Sequence, residues 1–162
     1  MGGAEDLTGG GMPAAPGSLL ADLRARRDAA LAKLYLDLPV RRLPGVVVRF
    51  RPVTSAELLR AVEAFGGSED PDAQVNHDAT LLAMGCVAVW TRPDGDDSSE
   101  PPANAPTFAD GVAEALGITA KTGAEAVRGL YLTDGDVSAA AKRLQVWSGF
   151  TIAEADEVFQ GN

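Results

Sequence analysis

The most apolar stretch of the chain lies at residues 79–90, and its pattern predicts a central helix. Apolar side chains recur at alternating spacings of four and three residues, which places them on one face of a helix. Asp70 and Pro71 supply the start, since aspartate caps free backbone amides and proline suits the first helical position. The sequence therefore predicts one helix over residues 71–90. Its stripe consists of Val75, Ala79, Leu82, Cys86 and Val89.

Upstream of this helix, the spacing of apolar residues changes near residue 38 from a helical to a strand-like pattern. Ser18 caps a predicted helix that runs to about Leu36, and Leu38-Pro39 stops it. Residues 40–53 then alternate apolar and charged side chains, and the turn formers Pro44-Gly45 divide them into two strands. These residues therefore predict a β-hairpin.

A threonine followed three residues later by an acidic residue marks several predicted helix starts. Thr54 and Glu57 form a capping box, in which each side chain satisfies a backbone amide of the other residue, for a helix that runs to Phe65. The same pattern, or a single aspartate, marks the start of four predicted short helices, at Thr107, Thr122, Asp134 or Asp136, and Thr151. Because isolated helices of this length are unstable in water, they must pack together, against the first part or against a partner.

Two segments have the composition of chain outside a core. Residues 1–17 are rich in Gly, Ala and Pro and predict a disordered arm, whereas residues 92–106 combine prolines with acids and predict an exposed linker. We therefore expect a mainly α fold with one small β-hairpin. A compact helical unit at 18–91 carries the hairpin, and a bundle of short helices occupies 107–162.

The formal charge of −9 is uneven along the 162 residues. Residues 18–91 are balanced, whereas residues 92–106 carry −3 and residues 107–162 carry −4. Such acidity argues against a nucleic-acid partner, whose binding depends on neutralising phosphates. The apolar stretch is too short for a transmembrane helix, and the start of the chain has no secretory signal. The expected location is the cytoplasm, away from membranes.

The sequence predicts no enzyme and no cofactor. His77 is the only histidine and is expected on the exposed side of the central helix. Cys86, the only cysteine, falls on the apolar stripe, where a small buried side chain is expected rather than a nucleophile. Asp134-Gly-Asp136 fits a turn and helix cap better than a metal loop. No catalytic residues and no metal ligands are therefore assigned.

Two groups of side chains are candidates for protein binding, and each has a structural alternative. An apolar group near the C-terminus forms either part of the core or a partner-facing patch, and it consists of Trp147, Phe150, Ile152, Val158 and Phe159. A basic cluster on the hairpin consists of Arg41, Arg42, Arg49 and Arg51. It forms either a solvated face or a docking cluster for an acidic partner, including the acidic C-terminal part of the same chain.

Several features together resemble the tail assembly chaperones of long-tailed, siphovirus-type actinobacteriophages. They are the Leu-Pro stop with the basic hairpin at 38–53, the core helix ending in Val-Trp, the acidic linker, and a helical end with Gly-Asp, Trp-Ser-Gly and Gly161-Asn162. The resemblance covers about residues 36–162.

This resemblance implies a small, mostly helical, non-enzymatic protein of the infected host cytoplasm that is absent from the mature virion. It implies two partners, the tape-measure protein, whose apolar helical segments it binds, and the tail-tube protein, which it helps to recruit. In that family a longer form arises by translational frameshifting, and this chain would be the short form. Self-association is left open. The main alternative is a small structural virion protein of the head or connector.

Overall fold

A computed structural model describes residues 16–65, 69–93 and 95–150. The chain forms two units, residues 1–34 and 35–162. The described part of the first unit contains helix α1, Pro16–Ala32. The helix predicted from Ser18 to about Leu36 is therefore present, but it begins at Pro16, inside the predicted arm, and ends at Ala32, before the strand that contains Leu36. Residues 1–15 of the predicted arm lie outside the described residues.

The second unit contains a three-stranded antiparallel sheet. Strand β1 (Leu36–Pro39) pairs with β2 (Val46–Phe50), and β2 pairs with β3 (Cys86–Thr91), so β2 is central. The predicted hairpin is confirmed, although its first strand precedes the predicted residues 40–43. Gly45 adopts a φ of 82° in the turn, a conformation that residues with a Cβ rarely adopt.

The predicted central helix is wrong over its last residues. Helix α3 spans Ala73–Gly85, and the next residue begins β3. The spacing of Cys86 and Val89 fits a helix, but β3 is rich in β-branched and aromatic side chains, which suit a pleated strand. Pairing with β2 decides between the two, because the polar backbone groups along β2 would otherwise be buried without partners.

Four further helices lie in the described part of the second unit: α2 (Ser55–Phe65), α4 (Val112–Leu116), α5 (Gly123–Tyr131) and α6 (Asp134–Trp147). The helix predicted from Thr107 begins only at Val112, and the helix predicted from Thr151 lies outside the described residues. The predicted capping box is present at α2, where the Thr54 amide donates to Glu57 Oε1 and the Glu57 amide donates to Thr54 Oγ1, both over 3.1 Å. Thr133 rather than an aspartate caps α6, since its hydroxyl accepts from the Asp136 amide. The described helices and the small sheet confirm a mainly α fold.

One buried cluster contains both the sheet and the helices of this unit. It includes Phe50 of β2, Leu81 of α3, Val127 of α5 and Leu144 of α6, each 0% exposed. Helix α3 contacts α2, α5 and α6. The segment at residues 92–106 therefore joins two parts of one core and does not separate a unit at 18–91 from one at 107–162.

Ala105 and Pro106, at the end of the segment 92–106, also lie against the sheet. Ala105 packs on a small second cluster formed by Val47, Ala88 and Trp90. The Val89 amide donates to the carbonyl of Pro106, the last residue of the predicted linker, over 2.8 Å. Strand β3 therefore has a backbone partner on its outer edge, and the acidic segment is attached to the fold rather than being a detached connection.

Candidate functional site

The aromatic residues near the C-terminus lie at the end of α6. Trp147 is its last residue, and Gly149, at a φ of 106°, lets the chain turn so that the Phe150 amide donates to the Gln145 carbonyl. The Val53 amide donates to Ser148 Oγ over 3.0 Å and ties this turn to the residues after β2. These hydrogen bonds fix the position of both aromatic side chains.

Trp147 and Phe150 are half-buried and pack against the main core. Both side chains therefore contribute in part to the core and remain in part exposed, and the partner-facing alternative stays a prediction. Ile152, Val158 and Phe159, the other members of the predicted patch, lie outside the described residues.

Trp147 also lines an open groove on the surface of the second unit, which we call the α6 groove. Its volume is about 380 Å³, and it is lined by Leu36, Lys142, Arg143, Val146 and Trp147. Val146 is 50% exposed. The groove therefore offers an apolar floor with two cationic side chains, a combination that suits an amphipathic helix with acidic flanks.

The four arginines of the predicted basic cluster have carboxylate partners within the described chain. Arg42 Nε donates to Asp136 Oδ2 over 2.8 Å, and Arg41 lies 3.9 Å from the other oxygen of that carboxylate. Asp136 belongs to α6, so these two arginines pair with the acidic C-terminal part of their own chain. Arg49 and Arg51 instead pair with other acids.

Arg51 forms a bidentate pair with Glu57, at 2.8 and 2.6 Å. Hydrogen bonding by Arg51 lowers the pKa of Glu57 to about 2, and the same pair raises the pKa of Arg51. Arg49 is bidentate to Asp37, at 2.8 and 3.0 Å, and lies 2.8 Å from Glu100. Because these guanidinium groups are engaged within the fold, they are less available to a partner than exposed arginines would be.

Sequence reasoning missed a stacked arrangement around Arg49. Its guanidinium lies 3.6 Å from the centre of the Tyr35 ring and 5.4 Å from that of Trp90, and Arg92 lies 5.3 Å from the same Trp90 ring. Arg92 also donates to Asp37 over 3.0 Å. These residues come from distant parts of the chain, so no local spacing in the sequence indicates the arrangement. It secures the sheet by cation–π and ionic contacts.

The prediction for His77 is wrong. His77 and Asp78 are 1% and 2% exposed, and His77 Nδ1 lies 3.1 Å from Asp78 Oδ1. Gln74 also donates to Asp78 Oδ1, over 3.1 Å. The helix is covered on this side as well, because α3 contacts three other helices. The polar side chains at these positions did not indicate that the positions are buried.

Cys86 is half-buried at the start of β3, not on a helix stripe. Burial raises the pKa of its thiol to about 11, so little thiolate forms near neutral pH. Among the described residues, no group of three or more His, Cys, Asp or Glu side chains is placed to hold a metal ion. Within the same ranges, the helices are too short or too polar to cross a bilayer.

Comparison with protein-family models, with curated proteins and with solved structures found no match to this chain.

Proposed function

We propose that this protein is a non-enzymatic tail assembly chaperone that binds apolar helical segments of a tape-measure protein and helps to recruit tail-tube subunits. The sequence resemblance over about residues 36–162 supports the proposal. The structural observation that carries it is the α6 groove, where Val146 is half exposed beside Trp147. The proposed location is the cytoplasm of the infected host, without incorporation into the virion.

The chemistry of the α6 groove defines the client that it fits. An amphipathic client helix places apolar side chains at three- and four-residue spacings, and these can contact Leu36, Val146 and Trp147. Lys142 and Arg143 line the same groove, so acidic residues beside the apolar stripe of the client would be attracted to it. We therefore expect a preference for apolar helices bordered by aspartate or glutamate.

The test measures binding of the full chain to overlapping synthetic peptides that cover the tape-measure protein encoded beside its gene. Val146→Asp places a charge in the groove and should weaken the best peptide about tenfold or more, since truncating or charging a central contact typically has such an effect. Leu59→Asp is the matched control, because Leu59 is 51% exposed on α2 and does not line the groove. Isothermal titration calorimetry gives both dissociation constants.

Two further substitutions extend the test to the predicted patch. Trp147→Ala should weaken capture, and Phe159→Ala should do so if the segment beyond residue 150 takes part. Circular dichroism checks that each variant remains folded. Peptide binding that is unchanged by Val146→Asp, or equally weakened by Leu59→Asp, would refute the α6 groove as the client site.

Mass spectrometry of purified phage particles separates the proposed function from that of a structural virion protein. A chaperone should be missing from finished particles. A stoichiometric amount of this chain in the particles would refute the chaperone proposal and favour a head or connector component.

A further inference from the structure

Helix α1 has an exposed, leucine-rich face. Leu19, Leu20, Leu23 and Leu31 are 50%, 61%, 54% and 48% exposed. With 3.6 residues per turn, they fall within a sector of about 120° around the helix. Arg27 lies inside the same sector and is 73% exposed at its side chain. This face is therefore apolar with a cation near its middle.

A second groove, which we call the α3–α5 groove, lies on the other unit of the chain. This groove has a volume of about 430 Å³, and its lining includes Phe65, Ala83, Met84, Ala109, Gly123 and Ala124. Small side chains predominate there, so the backbone of a docking helix can come close to the floor. Such a surface accepts larger side chains, such as leucine, from a partner.

The α3–α5 groove continues into a more polar depression of about 480 Å³ that shares Ala109 and Gly123 with it. This continuation is lined by Asp110 and Glu114 together with one cation, Lys121. Both acids are exposed. The combined surface thus presents an apolar floor with an excess of negative charge at one end.

The charges of the two surfaces are complementary. Residues 16–34 carry four bases against two acids, whereas residues 35–162 carry ten bases against nineteen acids. Pairing two copies of α1 face to face would bring Arg27 against itself or against other bases of the partner helix. An acidic groove is the better electrostatic match for this helix.

We propose that α1 of one copy of this chain docks its leucine face into the α3–α5 groove of a second copy, and that the reciprocal contact closes a twofold dimer. The helix has 17 residues and is about 25 Å long. A twofold dimer contains two such contacts and therefore buries twice the area of one. The dimer uses neither Val146 nor the α6 groove.

Sedimentation equilibrium of the full chain, in buffers of low and high salt, tests the proposal. The wild-type chain should be a dimer that weakens at high salt, because exposed charge pairs are screened. Leu20→Glu with Leu23→Glu removes the helix face, and Ala109→Trp fills the groove at an exposed position. Each should raise the dimer dissociation constant about tenfold or more.

Ala25→Glu is the matched control, because Ala25 is exposed on the opposite side of α1 and should leave the dimer unchanged. Mixing the helix variant with the groove variant should restore a weaker heterodimer, since one intact helix and one intact groove remain. A chain that is monomeric throughout, including one in which α1 occupies the groove of its own copy, would overturn the proposal. A dimer that resists either variant would also overturn it.

Discussion

The capping box of α2 allows a direct test of how one partly buried ion pair stabilises this fold. Glu57 accepts from the Thr54 amide and is bidentate to Arg51, whose guanidinium also donates to the Met84 carbonyl over 2.8 Å. Glu57→Gln keeps the shape of the side chain and its oxygen acceptor but removes the charge. The variant therefore loses the ionic part of the contact and retains much of the cap.

The pKa shift sets the size of the expected effect. Hydrogen bonding by Arg51 lowers the pKa of Glu57 from 4.5 to about 2. At about 1.4 kcal/mol per pKa unit, the whole shift corresponds to about 3 kcal/mol. Because the Arg51 side chain is 45% exposed and its charge is partly screened by solvent, we expect Glu57→Gln to lower the free energy of unfolding by about 1–2 kcal/mol at pH 7.

The effect should depend on pH with a definite sign. A carboxyl group whose pKa is lowered in the folded state stabilises the protein above its unfolded pKa, and this contribution is lost as the pH falls toward the folded pKa. The difference between wild type and Glu57→Gln should therefore be complete at pH 7 and should shrink between about pH 4.5 and 2. Urea unfolding followed by circular dichroism at pH 7, 5 and 3 measures it.

Glu125→Gln provides the matched control. Glu125 forms the equivalent box with Thr122, and its carboxylate accepts from the Lys121 amide over 2.8 Å. No ion pair to Glu125 occurs among the residues that the structure describes. Its loss of stability at pH 7 should therefore be smaller. Equal losses for the two variants, or a difference for Glu57→Gln that is unchanged at pH 3, would refute the reasoning.

Two other predictions concern the junction between α3 and β3. A Cβ at Gly85 would lie 3.1 Å from Val53 Cγ1 and 3.2 Å from Leu144 Cδ2, so Gly85→Ala should destabilise the fold by about 1–3 kcal/mol in urea unfolding. Gly135→Ala, where nothing lies within 4 Å, should be neutral or slightly stabilising, and an equal loss would contradict the steric argument. Because burial raises the pKa of the Cys86 thiol to about 11, its alkylation by iodoacetamide at pH 8 should be about a hundredfold slower than in the unfolded chain. Mass spectrometry measures both rates, and similar values would show that the thiol is not held protonated by the fold.

The two grooves proposed as binding sites on the second unit differ in the charge of their lining residues. The α6 groove carries cations and the α3–α5 groove is continuous with acids, so they favour partners of opposite charge. The tests are correspondingly independent: Val146→Asp addresses client binding, and Ala109→Trp addresses self-association.

Local chemistry in the sequence determined much of the secondary structure. The boxes at Thr54 and Thr122 predict helix starts that the structure contains, because a cap is made by residues three positions apart and requires no distant partner. The hairpin around Gly45 is similarly local. These two helix starts, the turn and the mainly α fold could therefore be predicted from the sequence alone, whereas the start predicted at Thr107 was wrong because α4 begins at Val112.

Only the tertiary structure decided the secondary structure of a segment whose sequence fits both a helix and a strand. It alone also decided contacts between residues that are distant in the chain. Residues 86–91 fit a helix stripe and a strand, and hydrogen bonding to β2 made them a strand. The partners of Arg42 and Arg49, Asp136 and Glu100, lie far away in the chain, and so do the helices that cover His77. Burial and ion pairing depend on which surfaces meet after the chain folds, and hydrophobic spacing along a single segment does not contain that information.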